Sequence, residues 1–187
     1  MKNIIESIKN KYPVSDKSIK ILTSHFKEEV FPAKTHIVKA NTPDRKIFFI
    51  ESGLTRSYIL IEGKETTTWF SKEGDLAYGS LDFLKNKAGF EYVQTLEQTL
   101  AYSIPIDILN NLYDTNIEIA NWARVLHQDL FLLLQDLRIE RLTLSAKERY
   151  EKLIKDFPYL YDRLNLGYIA SYLGITLPTL SKIRAEY

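Results

Sequence analysis

The chain has 187 residues, 45% of them hydrophobic, with 25 Lys and Arg against 24 Asp and Glu. That is ample material for one large or two small packed domains, so a disordered chain is excluded, and the balance of charge gives no global basic signal. Cysteine is absent, which excludes disulfides, an iron–sulfur cluster held by thiolates and thiol chemistry. Charge is slightly uneven along the chain. Residues 138–187 hold nine Lys and Arg against six Asp and Glu, an asymmetry that suits a DNA-binding tail on a neutral partner domain. No signal peptide or long apolar run is present, so a cytoplasmic protein with no membrane partner is expected.

The first element is a helix over Met1 to Tyr12, with Ile4, Ile5 and Ile8 at helical spacing and Pro13 as its stop. Ser15 is placed to cap a second helix carrying Ile19, Leu22 and Phe26 on one face, and Pro32 closes this region. From Lys34 to Ile104 the pattern changes to short β-branched and aromatic runs: KTHIVKA, KIFFIES, LTRSYILI, ETTTWF, DLAYG, EYVQTL and TLAYSI. Turn-forming stretches such as Ser52-Gly53 and Glu62-Gly63-Lys64 separate them. Seven or eight short strands at this spacing predict a small barrel or jelly roll. A short helix is expected over Ile106–Tyr113.

A long helix follows, from about Ile117 to Leu142. Ile119, Ala123, Leu126, Leu130, Leu133 and Leu137 are spaced four, three, four, three, four, which predicts a heptad seam and a homodimer. Trp122, Val125, Phe131, Leu132 and Leu134 add apolar surface off that seam, so the helix needs two partners, the barrel and a second copy. At 1.5 Å per residue it spans roughly 40 Å, enough to link two domains. Ser145-Ala146-Lys147-Glu148 has the form of a capping box and opens a helix to Asp156, which Phe157-Pro158 breaks.

The last stretch, LNLGYIASYLGITLPTLSKIR from Leu164 to Arg184, reads as a helix-turn-helix. The first helix covers Leu166 to Leu173. Gly174 supplies a left-handed residue after it, Thr176 caps the second helix, and Pro178 sits in a first turn where a missing N–H costs little. Ala170 is small where the helices cross, and Ile169, Leu173, Ile175, Leu180 and Ile183 meet in a small core. Leu177, Thr179, Ser181, Lys182 and Ala185 are left pointing outward, as on a helix that enters a DNA major groove.

The order of small barrel, long helix and C-terminal helix-turn-helix resembles the cyclic AMP receptor protein/fumarate-nitrate regulator (CRP/FNR) family of bacterial transcription factors. The closest local matches are KERYEKLIKDFPYL and YIASYLGITLPTLSKIR, with the form AxxLGIT…TLSxIR as the family mark. The resemblance implies an α+β chain. Residues 1–114 would form an N-terminal double-stranded β-helix (jelly-roll) sensor barrel like a cyclic-nucleotide-binding domain. Residues 115–142 would form the long dimerisation helix, and residues 143–187 a helix-turn-helix (winged-helix-like) DNA-binding domain. It further implies a homodimer on a palindromic double-stranded DNA operator, an unidentified small-molecule effector in each barrel, and RNA polymerase as a further partner. The effector pocket would include Tyr78, Gly79, Ser80 and Leu81. The DNA-contacting set would be Thr176, Leu177, Thr179, Ser181, Lys182 and Arg184.

Departures from the family pattern are specific. Members that bind cyclic AMP carry Gly-Glu near the start of a phosphate cassette and Arg-Ser at its end. Here the start is Gly79-Ser80, and no arginine occurs between Gly79 and Ile104, so the charge-assisted partner that a buried cyclic phosphate requires is missing. Cyclic AMP binding is therefore not expected. At the start of the recognition helix, where many members have an arginine and a glutamate, the chain has Leu177 and Pro178. Lys182 stands where a further base-reading arginine would be, and Leu177 can touch a thymine methyl.

Neither an enzyme nor a cofactor is expected. His25, His36 and His127 are isolated from one another, too few for a cupin-like metal site and unpromising as haem ligands. No nucleophile elbow, phosphate-cradling glycine loop or paired metal motif occurs. Phe48, Phe49, Tyr58, Trp69, Phe70 and Tyr78 are expected mostly in the core, some lining a pocket for an apolar or aromatic ligand. The other reading is a ligand-sensing or protein-interaction module that keeps the fold without binding DNA.

Overall fold

A computed structural model describes residues 1–42, 45–79, 89–158 and 162–186. Two N-terminal helices, α1 (Lys2–Lys11) and α2 (Asp16–Thr23), precede eight strands. These are β1 (Lys27–Phe31), β2 (His36–Val38), β3 (Lys46–Ser52), β4 (Thr55–Ile61), β5 (Lys64–Ser71), β6 (Leu76–Ala77), β7 (Glu91–Thr95) and β8 (Thr99–Pro105). They form two four-stranded antiparallel sheets, ordered β1-β8-β3-β6 and β2-β7-β4-β5, which face each other as a jelly roll. Five helices complete the described chain: α3 (Ile106–Thr115), α4 (Ile117–Thr143), α5 (Ala146–Asp156), α6 (Leu166–Leu173) and α7 (Leu177–Ala185).

Strand β3 shows how the alternation of side chains divides the core. Phe48 and Ile50 point into the barrel beside Val38, Val93 and Ala101. Ile47 and Phe49 point the other way, into a second core with Ile4 and Ile8 of α1, Leu22 of α2, Leu109 of α3 and Ile119 and Trp122 of α4. A strand buried on both faces reads as an unbroken apolar run, as KIFFI does.

One strand was not expected. Lys27–Phe31 pairs with β8, Lys27 opposite Ser103 and Phe31 opposite Thr99. The sequence reading carried the second helix on through Phe26, but α2 stops at Thr23. Phe26 still joins the core, 4.7 Å from the ring of Phe49. Two adjacent glutamates hide β1, yet they are partnered: Glu28 accepts from the Tyr102 hydroxyl and Glu29 from the Ser103 hydroxyl.

The C-terminal unit rests on the barrel. Leu54 and Phe70 share a core with Tyr150, Leu153, Leu164, Ile169 and Leu173. Ser171 on α6 accepts from the Thr67 amide at 2.9 Å and donates to the Glu65 carbonyl at 3.2 Å, joining α6 to β5.

Candidate nucleic-acid interface

Capping defines the helix-turn-helix at each boundary. Asn165 accepts from the Gly167 amide at 2.7 Å to start α6. Gly174 ends it with φ +68, and the amides of Gly174 and Ile175 donate to the carbonyls of Ser171 and Ala170. This is a Schellman closure, in which a left-handed residue satisfies two orphan carbonyls. Thr176 accepts from the Thr179 amide at 3.3 Å, and the two threonine hydroxyls meet at 2.8 Å. Pro178 follows in the first turn. Ser145 and Glu148 make the reciprocal capping box of α5.

Packing then sorts the faces of α7. Leu180 and Ile183 are buried, with Ala170 of α6 beneath them. Leu177, Thr179, Ser181, Lys182 and Ala185 are exposed, Thr176 is exposed at the cap, and Arg184 is half-buried. Docking on the barrel uses α6 and the segment before it, so the outward face of α7 is left uncovered.

Arg163 reinforces that docking. Its guanidinium donates to both Glu73 carboxylate oxygens, at 2.9 and 3.1 Å, and to Glu97 at 2.5 and 3.4 Å. Glu73 also accepts from the Gly53 amide at 2.9 Å. Burial alone would raise the Glu73 carboxyl, but the hydrogen bonds from Arg163 and the backbone bring it below the usual carboxylate range. Nearby, Arg56 is 1% exposed, donates to Glu65 at 2.5 Å and to Thr67 at 3.0 Å, and lies 4.0 Å from the ring centre of Tyr168. The sequence reading assigned no role to Arg56, Glu73, Glu97, Arg163 or Tyr168. Arg163 and Glu73 are ninety residues apart, and no spacing rule connects them. The one available signal was a charged residue, Arg56, inside a strand-like run.

The long helix is covered along part of its length by its own chain. Ile119 and Ala123, expected at the dimer seam, lie in the chain's own core at 1% and 6% exposure. Leu126, Leu130, Leu133 and Leu137 are half-buried on the same face. A heptad spacing identifies a face, not what covers it, and the N-terminal half of this one is covered by α1, α2 and α3. Four exposed apolar side chains, Phe131, Leu132, Ile139 and Leu142, each more than half exposed, lie on the opposite side, while Leu134, 53% exposed, borders the cavity beside Leu130 and Leu133.

Between barrel and α4 lies a cavity of about 480 Å³, within the usual range for a small-molecule site. Phe49, Trp69, Tyr78 and Trp122 line it with aromatic surface, and Leu126, Leu130 and Leu133 close the helix side. Burial pushes the Asp75 carboxyl and the Tyr78 phenol up. Tyr78 is half-buried and Gly79 buried; Ser80 and Leu81 lie outside the described residues. Of the other aromatic candidates, Phe48 fills the barrel, Tyr58 stacks on Tyr92, and Phe70 packs on Tyr172 in the docking core. His36 lies on β2 and His127 on α4, while His25 sits in the turn between α2 and β1. Among the described residues no group of three or more His, Asp or Glu side chains is placed to hold a metal ion, and no helix is long and apolar enough to cross a membrane.

Comparison with known proteins places these features. The family model of the cyclic nucleotide-binding domain matches residues 28–116. The regulatory protein HlyX of Actinobacillus pleuropneumoniae is 28% identical over 161 residues, covering 76% of this chain and 64% of that one. The fumarate and nitrate reduction regulatory protein of Yersinia pestis is 27% identical over 165 residues, covering 81% and 64%. The chain thus spans just under two thirds of the length of these curated relatives. Among solved structures, the c-di-GMP-responsive global regulator CLP of Xanthomonas campestris has the same fold, with a TM-score of 0.75, 13% identity, and 92% and 91% of the two chains covered.

Proposed function

We propose that this chain, which is similar to CRP/FNR-type regulators in sequence and fold, is a DNA-binding transcriptional regulator that acts as a homodimer on a palindromic operator and reads a small effector in its barrel cavity. One observation carries the reading. Helix α7 turns Leu180 and Ile183 inward and presents Leu177, Thr179, Ser181 and Lys182 on a face that the docked barrel does not cover. Lys182 and Thr179 supply the polar readout, Leu177 an apolar contact to thymine, and Thr176, Ser181 and Arg184 contacts to backbone or bases. Two copies joined through α4 present two such helices, and RNA polymerase is the further partner of a dimer bound at a promoter.

Cyclic AMP is not the effector in this account. Ser80 follows Gly79 where a ribose-binding glutamate would stand, and no arginine occurs from Gly79 to Ile104. The test is selection of bound sequences from random duplexes, followed by a gel shift. Enrichment of a two-fold symmetric site supports the proposal. A folded protein that retains no duplex above background would instead favour an interaction module that keeps the fold without binding DNA.

A further inference from the structure

Helix α4 carries a second heptad on the side that its own chain leaves open. Asn121, Val125, Gln128, Leu132, Gln135, Ile139 and Leu142 follow one another at intervals of four and three, the spacing of a coiled-coil seam. Leu132, Ile139 and Leu142 are 60%, 56% and 77% exposed; Gln128 and Gln135 are exposed, and Asn121 and Val125 half-buried. The two core positions of this seam differ in chemistry. One holds Val125, Leu132 and Ile139, and the other holds Asn121, Gln128 and Gln135 before it ends on Leu142. Its edges differ in charge, with Arg124 and Arg138 along one and Asp129 and Asp136 along the other. Arg124 is held flat on its edge, donating through Nε to the Asn121 side-chain oxygen at 3.2 Å and through Nη1 to that of Gln128 at 2.9 Å. Its Nη2 donates to nothing among the described residues. Lys11 engages Oδ2 of Asp129, at 2.6 Å, and leaves Oδ1 facing solvent.

We infer that this face of α4 selects for itself: it takes a second copy of the chain, parallel and in register, with Arg124 reaching the partner's Asp129. The inference rests on the homodimer reading and deepens it by naming the residues that restrict the pairing. In a parallel pair each core position faces its own counterpart, and a residue on one edge meets the opposite edge of the partner's following heptad, which sets Arg124 against the partner's Asp129. Asn121, Gln128 and Gln135 then meet themselves, and a carboxamide both donates and accepts, so each can satisfy its mate. An antiparallel pair would set arginine against arginine along one edge and aspartate against aspartate along the other. It would also bury the amides against Val125, Leu132 and Ile139, where they find no hydrogen bond. A purely apolar partner helix fails for the same reason. The amides give up apolar area in the seam and confer selectivity in return, as single polar core residues do in coiled coils.

The chain contains no cysteine, so a single introduced thiol reports only on its own counterpart in a second copy. The experiment makes Asn121→Cys and Gln135→Cys separately in the full chain, oxidises each mildly and reads the product by non-reducing electrophoresis. The two sites lie roughly 21 Å apart along the helix at 1.5 Å per residue, and a disulfide spans only a few ångströms between Cα atoms. Both variants are expected to cross-link to the dimer mass, while Leu130→Cys on the cavity side stays uncross-linked. An antiparallel pair could link one of the two sites at most, so a link at one alone, at neither, or at Leu130→Cys overturns the inference. If Asn121→Cys does not fold, Gln128→Cys takes its place. A second arm tests the edges with Arg124→Glu and with Asp129→Lys, the latter combined with Lys11→Ala to avoid like charges within the chain. Each alone should lose dimer, and their mixture should form mixed dimers in more than the statistical half of the pairs, because both edge contacts are then complementary. Random mixing overturns the selectivity. Light scattering of the wild type separates the two readings: a dimer mass with failed cross-links removes this inference alone, and a monomer mass removes the homodimer with it.

Discussion

Arg163 grips both oxygens of the Glu73 carboxylate, at 2.9 and 3.1 Å, and so fastens the helix-turn-helix unit to a barrel turn ninety residues earlier in the chain. The side chains are 25% and 32% exposed, so solvent screens part of the attraction. Arg163→Ala is expected to cost about 1–3 kcal/mol of stability, the ~1.5–3 kcal/mol of hydrogen bonds to charged groups reduced at its lower end by that screening. Chemical denaturation measures it, and hydrogen exchange at Thr67 and Ser171 should rise in the same variant.

The same pair sets a pH dependence. The Glu73 carboxyl lies below its ordinary value in the folded chain, so its contribution is present above the unfolded value and is lost as pH falls through the folded one. Stability of the wild type relative to Glu73→Gln should therefore shrink on acidification below the usual carboxylate range near pH 4.3. A constant difference between the two proteins down to pH 2 would show that Glu73 is not held by Arg163 in solution.

The dimer surface is assigned by a pair of substitutions. Leu132, Ile139 and Leu142 repeat at intervals of seven and three on the uncovered side of α4, and each is more than half exposed. Ile139→Glu should shift light-scattering mass toward the monomer, since two carboxylates would meet in an apolar contact. Leu130→Glu changes a cavity wall and should leave the mass dimeric. The reverse outcome would return the interface to the seam of Leu126, Leu130, Leu133 and Leu137.

Gly174 is the backbone test of the helix-turn-helix. A Cβ there meets nothing within 4 Å, but φ is +68. Gly174→Ala is therefore resisted by backbone strain alone, roughly 1–2 kcal/mol. The helices on either side should remain folded at 25 °C while the melting midpoint drops.

Local chemistry was legible in the sequence wherever one element specifies itself. Gly174, Thr176 and Pro178 announced the turn, Ser145 and Glu148 the capping box, and the runs from Lys34 to Ile104 the jelly roll. What stayed hidden depends on distant partners. Strand β1 is recognisable only once β8 lies beside it to receive Glu28 and Glu29. The spacing of Ile119 to Leu137 describes a face of α4 without saying that α1, α2 and α3 cover its beginning. Arg163, Glu73 and Glu97 have no sequence relation at all; the docking that joins them is a property of the folded chain. The cavity is an intermediate case, since Tyr78 and Trp69 were visible as aromatic candidates while Trp122 and Leu130 face them only once α4 closes on the barrel.

Recognition of DNA by α7 is the central claim, and Lys182 is its most exposed test. The measurement is a gel shift on the selected operator at two salt concentrations, comparing wild type with Lys182→Ala. Loss of a base contact should cost ~1–3 kcal/mol and relax preference at one position of each half-site, with other positions unchanged. A uniform weakening across sequences, with the salt slope reduced by about one per subunit, would instead move Lys182 to a phosphate and leave α7 at the DNA. Unchanged affinity, base preference and salt slope would contradict the placement of α7 in the groove.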